Sequence, residues 1–441
     1  MGLILLPERR HPVAAPSTTI LLTAVLFLIL GYAPPAAYAD CECGYLAIIN
    51  GSGTSSDHHH NRALFTDLLE TNFARRAAAA ASAGETGLPN NALWEEEKEK
   101  REAGWVRQAF NLTREQARGE YGEMFAVENV GYGIASPRRE GEEEEAEGAG
   151  GGGKNAEAAE ETLGLQLVVR GGDDEVIDEM VPVAELDTRR LDLMWGTFRA
   201  MMKVSPVKGT CAAFFWVGVL FYFYVLLAGM PAYMEIDMEF LSKDFNASNR
   251  SYPINLVLQS REAAMAGYDA SATGNFVRVF LPFDPTEDFH EYRIDYLPER
   301  VFFFADGEVL AEMDGPAVPS SPGHLILRHW SNGNKYWSGG PPTEDAPLVV
   351  SYVKAYFNSS TAQRQRDWEA RCPDPTASNA VCEIPDVTPA NRSAAAWFFS
   401  DHANMTNNQT VSEQSKASRS TEVWSSIMGW LLLVGGYAIA L

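Results

Sequence analysis

Basic charge is what this 441-residue chain has least of relative to its opposite: 35 lysines and arginines stand against 59 aspartates and glutamates. A phosphate-binding surface needs the reverse balance, which argues against a nucleic-acid partner. Part of the acidity is local, since Glu140 and Glu142 to Glu145 precede a glycine run at Gly148 and Gly150 to Gly153. Cysteine is scarce too, with five residues at positions 41, 43, 211, 372 and 382. Cys41-x-Cys43 is too tight for a structural zinc site. His58-His59-His60 lies in a polar segment without other ligands and reads as a surface run. No metal and no cofactor are expected. In an oxidising compartment five cysteines allow two disulfides and one thiol. Cys372 with Cys382 is the expected local pair, and Cys41 or Cys43 is placed to staple the N-terminal segment to the body.

Long apolar runs are also few. Arg9, Arg10 and His11 precede the apolar stretch Ile20 to Leu30, and Ala37-Tyr38-Ala39 supplies small residues at a cleavage position. Residues 1–39 therefore read as a secretory signal. Eight N-x-S/T sequons begin at Asn50, Asn111, Asn246, Asn249, Asn358, Asn391, Asn404 and Asn408, consistent with secretion. Their crowding after Asn358, in a polar stretch, suggests a glycosylated stalk over 359–422. Residues 423–441 end in an apolar stretch with no basic residue after it. It is short for a spanning helix and reads as an anchor or glycolipid-anchor signal. The expected location is outside the cell or on its surface, with membrane attachment through that terminus.

Between these ends the pattern is one of short strands. Leu165–Val169, Gly196–Met201, Val277–Leu281, Tyr292–Tyr296, Val301–Phe304 and Val349–Val353 are rich in aromatic and β-branched residues and bounded by turn formers. Their number at close spacing predicts an all-β sandwich, with a hairpin turning at Asp306-Gly307. The expected domain spans 104–358, after a partly flexible segment at 40–103, and carries a low-complexity insert at 138–162. One feature conflicts with a sandwich: Phe214 to Met230 is apolar for seventeen residues. By length that borders on a membrane helix. Residues Val217 to Tyr233 read instead as an insertion, or as translated intron sequence.

Chemistry concentrates in Tyr233-Met234-Glu235-Ile236-Asp237-Met238-Glu239-Phe240-Leu241. On a strand, alternate side chains share a face, so the three carboxylates project together while Ile236, Met238 and Phe240 pack behind them. Three acids on one face repel, so folding gains nothing from them. Glycoside hydrolysis, by contrast, needs paired carboxylates: one attacks the anomeric carbon, and the other protonates the leaving oxygen and later activates water. Spacing strains this reading. Four residues of strand cover roughly 13 Å between Cα atoms, whereas a retaining pair works at about 5 to 5.5 Å. The glutamates must lean together.

The segment Glu-Ile-Asp-Met-Glu-Phe-Leu resembles the E-x-D-x-E signature of glycoside hydrolase family 16. Phe289-His290-Glu291-Tyr292, the Asp306-Gly307 turn, His329 to Asn334 and Trp337 to Gly340 extend the resemblance over roughly 105 to 357. The resemblance implies a concanavalin A-like β-jelly-roll sandwich of the fungal cell-wall type, acting on β-glucan. It implies Glu235 as nucleophile, Asp237 as helper and Glu239 as general acid/base. Hydrolysis, transglycosylation and a non-catalytic wall-binding role on the same fold stay open. Sugars stack their C–H faces on aromatic rings, so Trp195, Trp330 and Trp337 are candidate cleft residues, with Asn332 as a hydroxyl partner. His290 reads equally as a site residue or a strand filler. The chain is expected to act as a monomer.

Overall fold

The computed structural model describes residues 40–49, 61–82, 104–132, 164–172, 175–218, 234–266 and 270–402. The chain divides into Met1–Ala39 and Asp40–Leu441, and everything described belongs to the second unit. In chain order the first strands are β1 (Gly44–Ile49), β2 (Asn61–Phe65), β3 (Asp67–Asn72), β4 (Trp105–Arg107), β5 (Phe110–Leu112), β6 (Gly122–Phe125) and β7 (Val130–Gly131). There follow β8 (Leu165–Val169), β9 (Met180–Thr188), β10 (Leu193–Lys203), β11 (Cys211–Gly218), β12 (Glu235–Leu241), β13 (Pro253–Gln259) and β14 (Phe276–Phe280). The last are β15 (His290–Leu297), β16 (Arg300–Ala305), β17 (Glu308–Asp314), β18 (Gly323–Trp330), β19 (Ala346–Ser359) and β20 (Val381–Glu383). Four helices matter: α1 (Phe73–Ser82), α2 (Arg114–Ala117), α3 (Arg261–Met265) and α4 (Ala362–Arg371).

Pairing sorts the strands into two sheets. The first runs β14-β13-β12-β11-β18-β9, with β4 and β6 sharing the far edge of β9 and β5 beyond β6. The second runs β17-β16-β15-β10-β19, with β3 and β8 sharing the far edge of β19 and β7 beyond β8. Among the described residues one strand pairing, Leu193 with Gly323, links the two sheets. The strand alternation read in the sequence sets the core between them. Phe198, Ala200 and Met202 of β10 and Tyr292, Ile294 and Tyr296 of β15 face Phe214 and Trp216 of β11 and Ile236, Met238 and Phe240 of β12. This is the all-β sandwich expected from the sequence.

The hairpin turn forms where predicted. Asp306 and Gly307 close β16 onto β17 with φ of 47° and 81°, both in the left-handed region that a type I′ turn requires. A Cβ on Gly307 would also stand 2.7 Å from the Thr388 side chain, so this turn has no room for another residue.

Three expectations need correction. The folded body begins well before residue 104: β3 pairs with β19, and β1 and β2 join β20 in a third, three-stranded layer. Residues 359–402 are not a stalk. Through Cys382 of β20, Ile384, Val387, Phe398 and Phe399 they pack on the outer face of the second sheet, against Met201, Tyr352, Phe302, Phe304 and Tyr356, while Arg364 of α4 pairs with Asp67 of β3. Ion pairs lock that layer, because Asp386 meets Arg199 and Arg293 at 2.9 Å each. The disulfides join Cys41 to Cys382 and Cys43 to Cys372, not Cys372 to Cys382, and leave Cys211 free and buried. The parallel pairing of β1 with β20 sets Tyr45 opposite Cys382, so the N-terminal cysteines reach both C-terminal ones.

Val217 and Gly218 belong to the β11–β12 ladder and not to the expected insertion at 217–233. Val217 pairs with Glu235, and the Gly218 N–H donates to the Met234 carbonyl at 3.0 Å. The β11–β12 ladder thus continues to both described ends, and 219–233 lie outside the described residues. So do the signal segment, His58 to His60, the 138–162 insert and the apolar C-terminal stretch. Among the described residues no helix is long and apolar enough to cross a membrane.

Candidate active site

Strand β12 lies inside the first sheet between β11 and β13, in register along its length. Its core face is fully buried at Ile236 and Met238, which fixes the pleat. Glu235, Asp237 and Glu239 therefore share the opposite face, at the floor of a cleft of about 560 Å³. Neighbouring strands complete the floor with Ala213 and Phe215 of β11, Val257 and Gln259 of β13, and Arg328 and Trp330 of β18. Phe276, Arg118, Asn332, Asn334, Tyr336 and Trp337 form the walls.

Burial disfavours charge here. The Asp237 carboxyl is pushed well above the usual range, first by desolvation and then by Glu235 and Glu239 on either side. Desolvation also lifts Glu239 to about 7, against the pull of a Trp337 hydrogen bond and the Arg118 and Arg328 charges. The Trp337 indole N–H donates to Glu239 Oε1 at 3.2 Å, and Cys211 Sγ lies 3.9 Å from the same oxygen.

The wall segment after β18 is built around Asn332. Its amide donates to the Ala117 carbonyl at 2.6 Å, and its Oδ1 accepts from Ser338 Oγ at 3.1 Å and the Asn334 N–H at 3.0 Å. Asn334 in turn donates to the Arg118 carbonyl at 3.2 Å. Arg118 caps α2 in the left-handed conformation, and the capping box of Thr113 and Gln116 fixes the helix start. One short helix and one loop are thus bolted together in the cleft wall.

The structure places Glu235, Asp237, Glu239, Trp330, Trp337 and Asn332 together. Asn332 is 2 % exposed, and its side chain is committed to the loop rather than offered to a ligand. Trp195 and His290 lie elsewhere. Trp195 sits at a β-bulge in β10 with φ of 45° and packs against the inter-sheet core. His290 belongs to the second sheet, stacked on Phe283 at 3.5 Å with its Nδ1 2.7 Å from Asp306 Oδ2. It braces the hairpin turn, the strand-filling alternative. Sequence reasoning missed Arg118, Arg328, Phe276 and Tyr336. Tyr336, 78 % exposed, adjoins Trp337 in the same Gly/Asn/Ser-rich stretch, and that was the available signal. Arg328 lies two residues before Trp330 and is held by Glu123 of β6. Among the described residues no cluster of metal-ligating side chains occurs.

Residues 177–346 match the model of glycosyl hydrolases family 16. A probable xyloglucan endotransglucosylase/hydrolase of Arabidopsis thaliana is 27% identical over 175 residues, covering 37% of this chain and 48% of the relative. A beta-glucanase of Paenibacillus macerans is 27% identical over 167 residues, 38% of this chain and 60% of the relative. A xyloglucan endotransglycosylase/hydrolase of Oryza sativa subsp. japonica is 30% identical over 199 residues, 42% and 60% respectively. The chain spans about half to three-fifths of the length of these curated relatives. The catalytic domain of an endo-1,3-beta-glucanase from Thermotoga petrophila RKU-1 aligns at TM-score 0.40 and 18% identity, over 58% of this chain and 92% of that one. Residues 177–346, which run from the β9 edge to the start of β19 and hold all three floor carboxylates, are a domain of glycosyl hydrolases family 16.

Proposed function

We propose that the protein is a retaining glycoside hydrolase or transglycosylase acting on β-glucan. The observation that carries this reading is the set of three carboxylates lined up on the cleft face of β12, backed by core residues, with Trp330 beside them on the floor and Tyr336 and Trp337 in the walls. Glu235 attacks the anomeric carbon, and the glycosidic oxygen leaves with the proton of Glu239. The ionised Glu239 then takes a proton from water or from a sugar hydroxyl as that oxygen displaces Glu235. A carboxyl held near 7 suits a group that must both give and take a proton. Asp237, kept neutral by burial between two acids, donates a hydrogen bond to Glu235 and stops the three charges from coexisting.

Names of the relatives cover both outcomes for the glycosyl-enzyme, glucanase hydrolysis and endotransglucosylation, so a water or a sugar acceptor resolves the intermediate. A non-catalytic role is disfavoured because Glu235, Asp237 and Glu239 are all present in the cleft. We also propose a secreted or cell-surface monomer anchored through its C-terminal apolar stretch. Two disulfides support an oxidising compartment. Sequon asparagines Asn111, Asn246, Asn249 and Asn391 are exposed, whereas Asn358 is tied to Thr66 by two 3.2 Å hydrogen bonds and is a poor acceptor.

The test is product release from laminarin, lichenan and xyloglucan, with and without oligosaccharide acceptors, by the wild type and Glu235→Gln. Loss of at least 10³-fold in the variant is expected, roughly the value of a nucleophile. Equal turnover by both proteins would remove Glu235 from the mechanism.

A further inference from the structure

Two hydrogen-bond donors converge on one oxygen of Glu239. The indole Nε1 of Trp337 lies 3.2 Å from Oε1, and the Cys211 Sγ lies 3.9 Å from it. The thiol also has the Ala212 carbonyl at 3.8 Å, so its proton is shared between two acceptors. No hydrogen bond reaches Oε2 among the described residues. The backbone beneath the indole is held, because the main-chain N–H of Trp337 donates to the Asn334 carbonyl at 2.9 Å, and the Phe276 ring packs with its centroid 6.3 Å from the indole's. Cys211 is fixed on β11 by its pairing with Leu241 on one side and Trp330 on the other.

We propose that Trp337 and Cys211 are positioning residues for Glu239, whose Oε1 they hold, so that Oε2 is the oxygen that exchanges a proton with substrate. This rests on the retaining mechanism above and deepens it. Trp337 then has a role apart from sugar stacking. A donor to a carboxylate favours the ionised form, so each donor keeps the acid from becoming too weak. The other groups facing Glu239 are Glu235 and Asp237 on its own strand, Arg118 after α2 and Arg328 on β18. Burial keeps the Cys211 thiol protonated, well above the ordinary range, so it donates throughout the working pH range.

The experiment is the pH profile of kcat/KM on laminarin for the wild type, Trp337→Phe, Cys211→Val and Cys211→Ser. The alkaline limb reports the protonated acid. Removing the indole donor raises that pKa, so in Trp337→Phe the limb moves to higher pH by about 0.5 to 1. Cys211→Val moves it the same way by less, and Cys211→Ser restores or reverses the change because a hydroxyl is the stronger donor. The Trp337→Phe loss shrinks on an aryl β-glucoside whose phenolate leaves without protonation. A raised KM with an unmoved limb would make Trp337 a sugar platform only and overturn the proposal. Should the wild type release nothing from any glucan, the mechanism fails separately. The carboxyl C=O infrared band that vanishes in Glu239→Gln then still reports the pKa, and an unmoved midpoint in Trp337→Phe would overturn the inference by itself.

Discussion

At the scale of single residues, the shared face of the three cleft carboxylates was legible because strand geometry leaves no choice. With Ile236, Met238 and Phe240 apolar, Glu235, Asp237 and Glu239 had to share the other face. Trp195 and His290 were not legible, because a residue's face depends on which sheet its strand joins and where a bulge falls. Arg118 reaches the cleft only through the tertiary approach of α2, which no local pattern announces. The same burial that tunes Glu239 has a consequence for stability. Its native pKa of about 7 lies above the ordinary 4.5, so the group leaves the fold undisturbed below pH about 4.5. As pH rises through that interval the native state must either hold the proton or bury the charge, and stability falls until pH passes about 7. The raised Asp237 acts in the same direction. Glu239→Gln removes this penalty. It should therefore abolish glucan cleavage yet be more stable than the wild type at pH 8, by up to about 3 kcal/mol, with little difference at pH 4.5. Urea unfolding at the two pH values checks this, and equal or lower stability of the variant at pH 8 would refute it.

At the scale of elements, strands were the easy part. Alternation and turn formers marked β8, β10, β14, β15, β16 and β19, because period two is written into each segment separately. Their order across the sheets was not readable, since pairing is decided between segments far apart in sequence. The polar stretch after 359 misled for a related reason: Val387, Phe398 and Phe399 are too sparse to signal packing, yet a few apolar anchors and the Asp386 ion pairs suffice. The cleft wall shows how much depends on a single polar residue. Asn332 uses both ends of its carboxamide, and Asn332→Ala would take the side-chain partner from the Ala117 carbonyl and from the Asn334 N–H. The expected cost is about 1–3 kcal/mol. Because that loop carries Trp337, kcat/KM on glucan should fall by more than the fraction unfolded explains. Calorimetry and kinetics on the same preparation test it. A destabilised variant with unchanged kcat/KM would show that the wall is held by other contacts.

At the scale of the whole molecule, the sandwich separates two faces. The cleft occupies the outer face of the first sheet, while the third layer of β1, β2, β20 and residues 384–402 covers the outer face of the second. Composition counted the disulfides correctly but not their partners, because Cys372 and Cys382 are close in sequence while the β1–β20 pairing directs each toward the N-terminus. Cys41–Cys382 and Cys43–Cys372 close loops with separations of 341 and 329 residues. They constrain the unfolded chain strongly, and losing one should cost about 2–5 kcal/mol. The two bonds close nearly the same loop, so their contributions are not additive. The first removed should cost less than the second, since either alone still ties the termini. The core between the sheets intervenes between this layer and Glu239. Cys41→Ser/Cys382→Ser should therefore unfold at lower temperature while its kcat/KM at 20 °C stays within about twofold of the wild type. Replacing all four cysteines should lower the transition further and release residues 384–402 to proteolysis before the sandwich melts. If the double variant lost activity in proportion to its stability at temperatures where it is fully folded, the two faces would be coupled through the core, and the third layer would be part of what shapes the cleft.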